Sequence, residues 1–285
     1  VGIVNALKLS NLNVPVLIHA SDDDIDKVDV AHRRDAFCGK LSVCNNLYQY
    51  DISFTDTIYH TYPIQNELFE RDLEFFAGVC RVVTGLRNAR IGAIGARPAP
   101  FQTIRISEKL LQDAEITVVT VDLSEIIFNA SRLDDKMTEV KQKAEEILDY
   151  GTIPEYISEE KVLKQAKLII AIEDWIRENN IHAAGIQCWT SIQMNYGCAA
   201  CLPMSMLSEK LIPFACETDV GGAVSMYALT LATGNPSALL DWNNNYGDDR
   251  EKCVCTHCGN YPKSFIQNPV EISNLDVLGA SLGEE

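Results

Sequence analysis

Apolar positions along this chain follow two alternating rhythms. Short, nearly unbroken apolar runs occur at VPVLIHA (14–20), at the start of ARIGAIGARPAPF (89–101), and at EITVVTVDL (115–123), HAAGIQCW (182–189) and LIPFAC (211–216). They are rich in Val, Ile and Ala, and several are bounded by Asn, Asp, Gly or Pro. That composition predicts strands buried on both faces, as in a parallel sheet. Between them the apolar spacing lengthens to three and four residues. NELFERDLEFFAGVCRVVTGLRN (66–88) sets Leu68, Leu73, Phe76, Val79 and Val82 at helical spacing, with Gly85 as a stop. ISEKLLQDA (106–114), DDKMTEVKQKAEEILDYG (134–151) and EEKVLKQAKLIIAIEDWIRENN (159–180) read as further helices. Helices alternating with buried strands predict an α/β fold, with Rossmann-like or flavodoxin-like parallel-sheet domains covered on both faces. After about residue 232 the texture changes. TGNPSALLDWNNNYGDD has no helical period and VCTHCGNYPKSF reads as strand and turn, which predicts the start of a β-rich C-terminal domain.

Composition narrows the partners. With 285 residues and 47% hydrophobic content, the chain can bury a sizeable core. A net charge of −16, with no clustering of its 24 Lys and Arg, argues against a nucleic-acid partner. No stretch approaches the roughly 20 apolar residues of a membrane span, and VGIVNALKL does not read as a secretory leader. The expectation is therefore a soluble, cytoplasmic protein with no membrane partner. The ten cysteines sit among long helices and buried strands rather than in a short loop-rich scaffold, so they read as mostly reduced thiols. Cys44 and Cys80, in apolar runs, are expected to act as small buried hydrophobes. His19 and His32 read as structural or interface residues.

In parallel α/β sheets, ligands bind beyond the carboxyl ends of the strands. The stretches after Gly95, Gln187 and Cys216 are thus where chemistry is expected. One candidate is soft: Cys198 and Cys201 form a C-x-x-C, and Cys253, Cys255 and Cys258 surround His257, types that suit structural zinc. These pairs lie far apart in sequence, which weighs against that reading. The other is hard. Glu217 follows the LIPFAC strand directly and should enter the crevice, whereas Asp219 reads as the cap of the helix after Gly221 and Gly222. Asp241, at the end of an apolar run, is a turn former if taken alone. Joined with Glu217 and His257 it completes a carboxylate, carboxylate and imidazole set suited to Mn²⁺, Mg²⁺ or Fe²⁺. Gln187 and Trp189 are candidates to bind sugar hydroxyls and pack on a sugar face, against ordinary loop packing. Arg97 either orients an anionic group or satisfies loop carbonyls.

CETDVGG, a second acid 24 positions on in LLDWNN, and HCGN 16 further on resemble the active-site region of the L-fucose isomerase and L-arabinose isomerase superfamily. IGARPAPFQT is similar to its GPRP-x-x-F loop, IQCW precedes the first acid, and DAFCGKLSVCNNL resembles the end of its first domain. The resemblance implies three segments: an incomplete first α/β domain (1–55), a second carrying Glu217 (56–232), and the start of a β-rich domain carrying Asp241 and His257 (233–285). It also implies an aldose–ketose isomerase working through an enediol. Glu217 and Asp241 would bind one divalent metal, usually Mn²⁺, and move protons, with His257 on the metal side. A sugar substrate and a homo-oligomer, hexameric or trimer-based, follow from the same source. The family's C-terminal histidine ligand has no counterpart after residue 258. The opposing readings are a non-catalytic sugar-binding module, or a structural zinc protein using Cys198/Cys201 and Cys253/Cys255.

Overall fold

The computed structural model describes residues 2–267 and 269–274, which fall into two compact units, Val1–Val83 and Thr84–Glu285. The first unit begins with α1 (Gly2–Ser10), then β1 (Leu17–Ile18), α2 (Ala36–Gln49), β2 (Thr55–Asp56) and the helix α3 (Glu67–Leu86), which runs into the second. β1 and β2 pair in parallel, Leu17 opposite Thr55 and Ile18 opposite Asp56. Of the apolar run over 14–20 two residues form strand, while the Val16 and Ala20 carbonyls accept the Thr55 and Tyr62 N–H groups. The buried Lys40 ammonium donates to Thr57 Oγ1 at 2.7 Å and to the Tyr59 and His60 carbonyls, and lies 2.6 Å from the Asp56 carboxylate. A buried cation is tolerated only when satisfied in this way. His19 Nε2 donates to the Tyr62 carbonyl and His32 pairs with Asp29, local contacts in keeping with structural roles. Cys44 and Cys80 are partly exposed rather than buried.

The second unit is built on a four-stranded parallel sheet of β3 (Arg90–Ile94), β4 (Thr117–Val121), β5 (Ala183–Ile186) and β6 (Phe214–Ala215), in the spatial order β4-β3-β5-β6. Its helices are α4 (Glu108–Asp113), α5 (Leu123–Ser131), α6 (Thr138–Tyr150), α7 (Glu159–Asn179), α8 (Ser191–Tyr196), α9 (Cys201–Glu209) and α10 (Val220–Thr233). An antiparallel hairpin follows, β7 (Asp241–Tyr246) with β8 (Asp249–Thr256). The α/β class with parallel sheets is the one expected.

Alternation along each strand sorts the two faces. Ile94, Val121, Ala184 and Ile186 pack with Ile126 of α5, Leu168, Ile172 and Trp175 of α7, and Met204 and Leu207 of α9. Ile91, Ala93 and Ala183 face the other way, onto Val220, Ala223 and Met226 of α10. Gly92 is where α7 comes closest, since a Cβ there would stand 2.8 Å from the Trp175 ring.

The sequence spacing leaves α5, α8 and α9 unread. α5 starts at the final residue of the EITVVTVDL run, where Asp122 accepts the Ser124 N–H at 2.8 Å and caps it. Seven of the nine residues of α9 are buried, so no polar face marks its period. Gly85 does not stop α3: it lies inside the helix, where a Cβ would meet the Leu231 side chain at 2.5 Å. Among the described residues, no helix is long and apolar enough to cross a membrane.

Candidate active site

The first strand of the sheet to form in chain order, β3, lies between β4 and β5, so the chain leaves it once to each side. The crevice between the loops after β3 and β5 is the topological switch point, where such sheets bind ligands. Gly95 turns out of β3 with φ +78°, and a Cβ there would stand 2.6 Å from Gln187 Oε1. Only glycine fits that approach. Gln187, the first residue after β5, accepts the Ala96 N–H at 2.9 Å and donates to the Trp189 carbonyl and Ser191 Oγ. Its amide thus ties the two crevice loops together. Arg97 donates to the Pro98 and Phe101 carbonyls at 2.9 Å, curling the GARPAPF loop upon itself. Trp189 keeps a partly open ring set edge-on to Phe101, with centroids 5.8 Å apart.

The turn after β6 carries Glu217. Glu217 and Thr218 both adopt left-handed backbone, φ 63° and 58°, a costly arrangement for two successive non-glycine residues and worst for β-branched Thr. Neighbouring strands hold it in place: the Thr218 N–H donates to the Ile186 carbonyl and the Asp219 N–H to the Cys216 carbonyl, both at 3.0 Å. A Cβ on Gly185 would lie 3.0 Å from the Thr218 and Asp219 backbone, so that glycine is what lets the turn settle over β5. Asp219 caps α10, accepting the Gly222 N–H at 2.8 Å, the helix-capping role expected for it.

Glu217 and His257 lie close enough to each other and to Asp241 for each to feel the charge of the other two. Burial pushes the Glu217 carboxyl above the usual carboxylate range, with the Asp241 charge adding to the rise and His257 opposing it. For His257, burial disfavours the imidazolium, but the Cys258 sulfur, Asp241 and Glu217 outweigh it and the net shift is upward. A half-buried carboxylate crowded by other anions lacks positive charge, and a divalent cation would supply it. The donor types fit a hard or borderline ion. Asn260, three residues after His257 and 1% exposed, leaves both Oδ1 and Nδ2 without a partner. An orphaned amide at this depth is a further sign of a polar occupant.

The tightest groupings of possible ligand atoms are softer. Cys216, His257 and Cys258 lie within 4.8 Å of one another, as do Cys188, Cys216 and Glu217, whereas Asp241 belongs to neither group. Asp241 is exposed, and it opens a strand instead of closing an apolar run. Cys253 and Cys255 are also exposed, on β8, and with Cys198 they stay outside both groups, so the zinc set read from sequence spacing is not assembled among the described residues. The spacing missed Cys188 and Cys216. Their common position just past the ends of neighbouring strands was the available signal.

Residues 2–87 match the fucose/sulfoquinovose isomerase N-terminal domain. The chain is 27% identical over 184 residues to a sulfoquinovose isomerase of Alkalicoccus urumqiensis, covering 64% of this chain and 40% of that protein. It is 26% identical over 200 residues to one of Priestia aryabhattai (69% and 44%), and 29% identical over 177 residues to one of Clostridium sp. strain MSTE9 (61% and 38%). The chain thus spans less than half the length of these relatives. The matched domain and these relatives support a likeness to the fucose isomerase-like superfamily.

Proposed function

We propose that this chain carries the active-site core of a divalent-metal-dependent aldose–ketose isomerase, acting in the cytoplasm as a homo-oligomer. Its first candidate substrate is sulfoquinovose, the sugar named in its relatives. The observation that carries the reading is the placement of Glu217 just past the last strand of a parallel sheet, near enough to Asp241 and His257 to feel the charge of both.

Moving a carbonyl from C1 to C2 requires removing a weakly acidic carbon-bound proton and returning it to the neighbouring carbon. Glu217 suits that exchange, because burial brings its proton affinity nearer to neutrality. Asp241, on the opposing hairpin, handles the hydroxyl protons, and the two roles are interchangeable. His257 and both carboxylates would hold Mn²⁺, Mg²⁺ or Fe²⁺. Such an ion, when bound, would supply Lewis-acid stabilisation of developing oxyanion charge, typically several kcal/mol. Trp189 offers an aromatic face for the sugar ring. Gln187 and Arg97 shape the crevice loops that receive it, since their polar groups are engaged with loop backbone and Ser191.

The decisive experiment is a screen of pentoses, hexoses and 6-modified sugars, sulfoquinovose included, with the full-length protein and Mn²⁺, scored for ketose. Ketose formation from at least one aldose, lost in Glu217→Gln, is the expected result. Sugar binding without product would overturn the reading in favour of a binding module.

A further inference from the structure

Four thiols meet where β5, β6, α9 and the turn after β8 converge. Cys188 Sγ lies 2.9 Å from Cys216 Sγ, Cys216 Sγ 3.8 Å from Cys258 Sγ, and Cys258 Sγ 3.9 Å from Cys201 Sγ. The His257 ring joins them, its Nδ1 3.3 Å from Cys258 Sγ and accepting the Cys258 N–H at 2.9 Å. All four cysteines are unpaired covalently, and Cys188, Cys201 and Cys216 are buried. Neither the proton chemistry of an isomerase nor its carboxylate ligands account for this concentration of sulfur.

We propose that Cys216, His257 and Cys258 form a binding site for a soft divalent cation of the zinc class, beside the carboxylates and sharing His257 with them. The three ligand atoms already lie within 4.8 Å of one another. Two thiolates on one zinc, each bonded at ~2.3 Å, stand ~3.8 Å apart in a tetrahedron, which is the Cys216 to Cys258 separation. Cys201, 3.9 Å from Cys258, is the nearest candidate for the fourth ligand. Cys188 is too close to Cys216 for both sulfurs to bind one ion; the Cys216 S–H donates to the Cys188 sulfur, a contact that would reverse once Cys216 gives up its proton to a metal and would then steady the ligating thiolate. The donors come from three places that the fold fixes independently: the end of β6, the start of α9 and the turn after β8. A zinc ion here draws the imidazole towards sulfur, so zinc-class cations and hard cations compete for His257.

The test is spectroscopic and needs no turnover. The full-length protein, kept reduced, is titrated with Co²⁺, then with Zn²⁺ against a chromophoric chelator. The expected result is a thiolate-to-cobalt charge-transfer band that Zn²⁺ abolishes. Cys258→Ser and Cys216→Ser should each remove that band and weaken Zn²⁺ binding by about 100-fold or more. Cys253→Ser and Cys255→Ser, on the exposed strand, should leave both unchanged. The buried Cys216 variant is read only if its circular dichroism matches the parent, and the less buried Cys258 variant decides the matter otherwise. Absence of the band in the parent, or its loss in Cys253→Ser rather than Cys258→Ser, would overturn the proposal. Glu217→Gln keeps the band, so failure of the isomerase reading and failure of this one are separable.

Discussion

The two carboxylates of the candidate site are held in opposite ways. Glu217 sits in a left-handed turn bonded to the ends of two neighbouring strands and pressed against Gly185, so its backbone is over-determined by the sheet. Asp241 opens a two-stranded hairpin in which every residue of both strands is exposed. An isolated hairpin of this kind is marginally stable by itself. The contrast pairs a fixed acid with an adjustable one. Strain is retained at the first because surrounding structure enforces it, and freedom is retained at the second because little packs on it.

The sharpest way to break this comparison is Glu217→Gln. Turnover on the best aldose should fall about a thousandfold, while the melting temperature stays level or rises, since a buried carboxyl crowded by anions is removed. A large fall in melting temperature would instead assign Glu217 a structural role. Gly185→Ala comes next. Its Cβ meets backbone that cannot swing aside, so about 1–3 kcal/mol of stability should be lost in denaturant titrations, with turnover falling beyond what the folded fraction explains. If stability is unchanged, the turn is not held by close approach.

On the hairpin the expected effects reverse. Asp241→Asn should reduce turnover by roughly a hundredfold, yet Trp242→Ala, at a ring 87% exposed, should change stability by less than about 0.5 kcal/mol. A larger loss would show that the hairpin is packed rather than adjustable.

The smallest effect lies far from the crevice. Burial alone would raise the Glu146 carboxyl, but Lys143 and Lys210 hold it below its ordinary 4.5. A depressed folded value means that its stabilisation is present above the ordinary carboxyl range and is lost as pH falls through the folded value. Glu146→Gln should therefore cost a few tenths to about 1 kcal/mol near neutrality, and thermal melts of the two proteins should converge as pH falls below the ordinary carboxyl range. A constant gap across the range would remove the ion pairs as its cause.

Much of the crevice was legible from local pattern. Apolar runs without alternation gave a doubly covered parallel sheet, and the residues just past those runs, Gln187 and Glu217, lie where such sheets bind ligands. Asp219 was readable as a cap because its oxygen faces N–H groups two and three residues on. The bounds of β1, and α9 altogether, were not readable, since pairing partners and complete burial leave no trace in periodicity.

By itself the sequence determined the class of fold, the order of its elements and the chemical types available at their ends, because propensity and periodicity act over a few neighbouring residues. Tertiary structure alone decided which of those types meet. It took Gln187 and Arg97 into the crevice loops, left Cys253 and Cys255 in solvent, and set Cys188, Cys216 and Cys258 side by side from positions as many as 70 residues apart. Strand order and register fix such meetings, and both are properties of the whole sheet that no local stretch encodes.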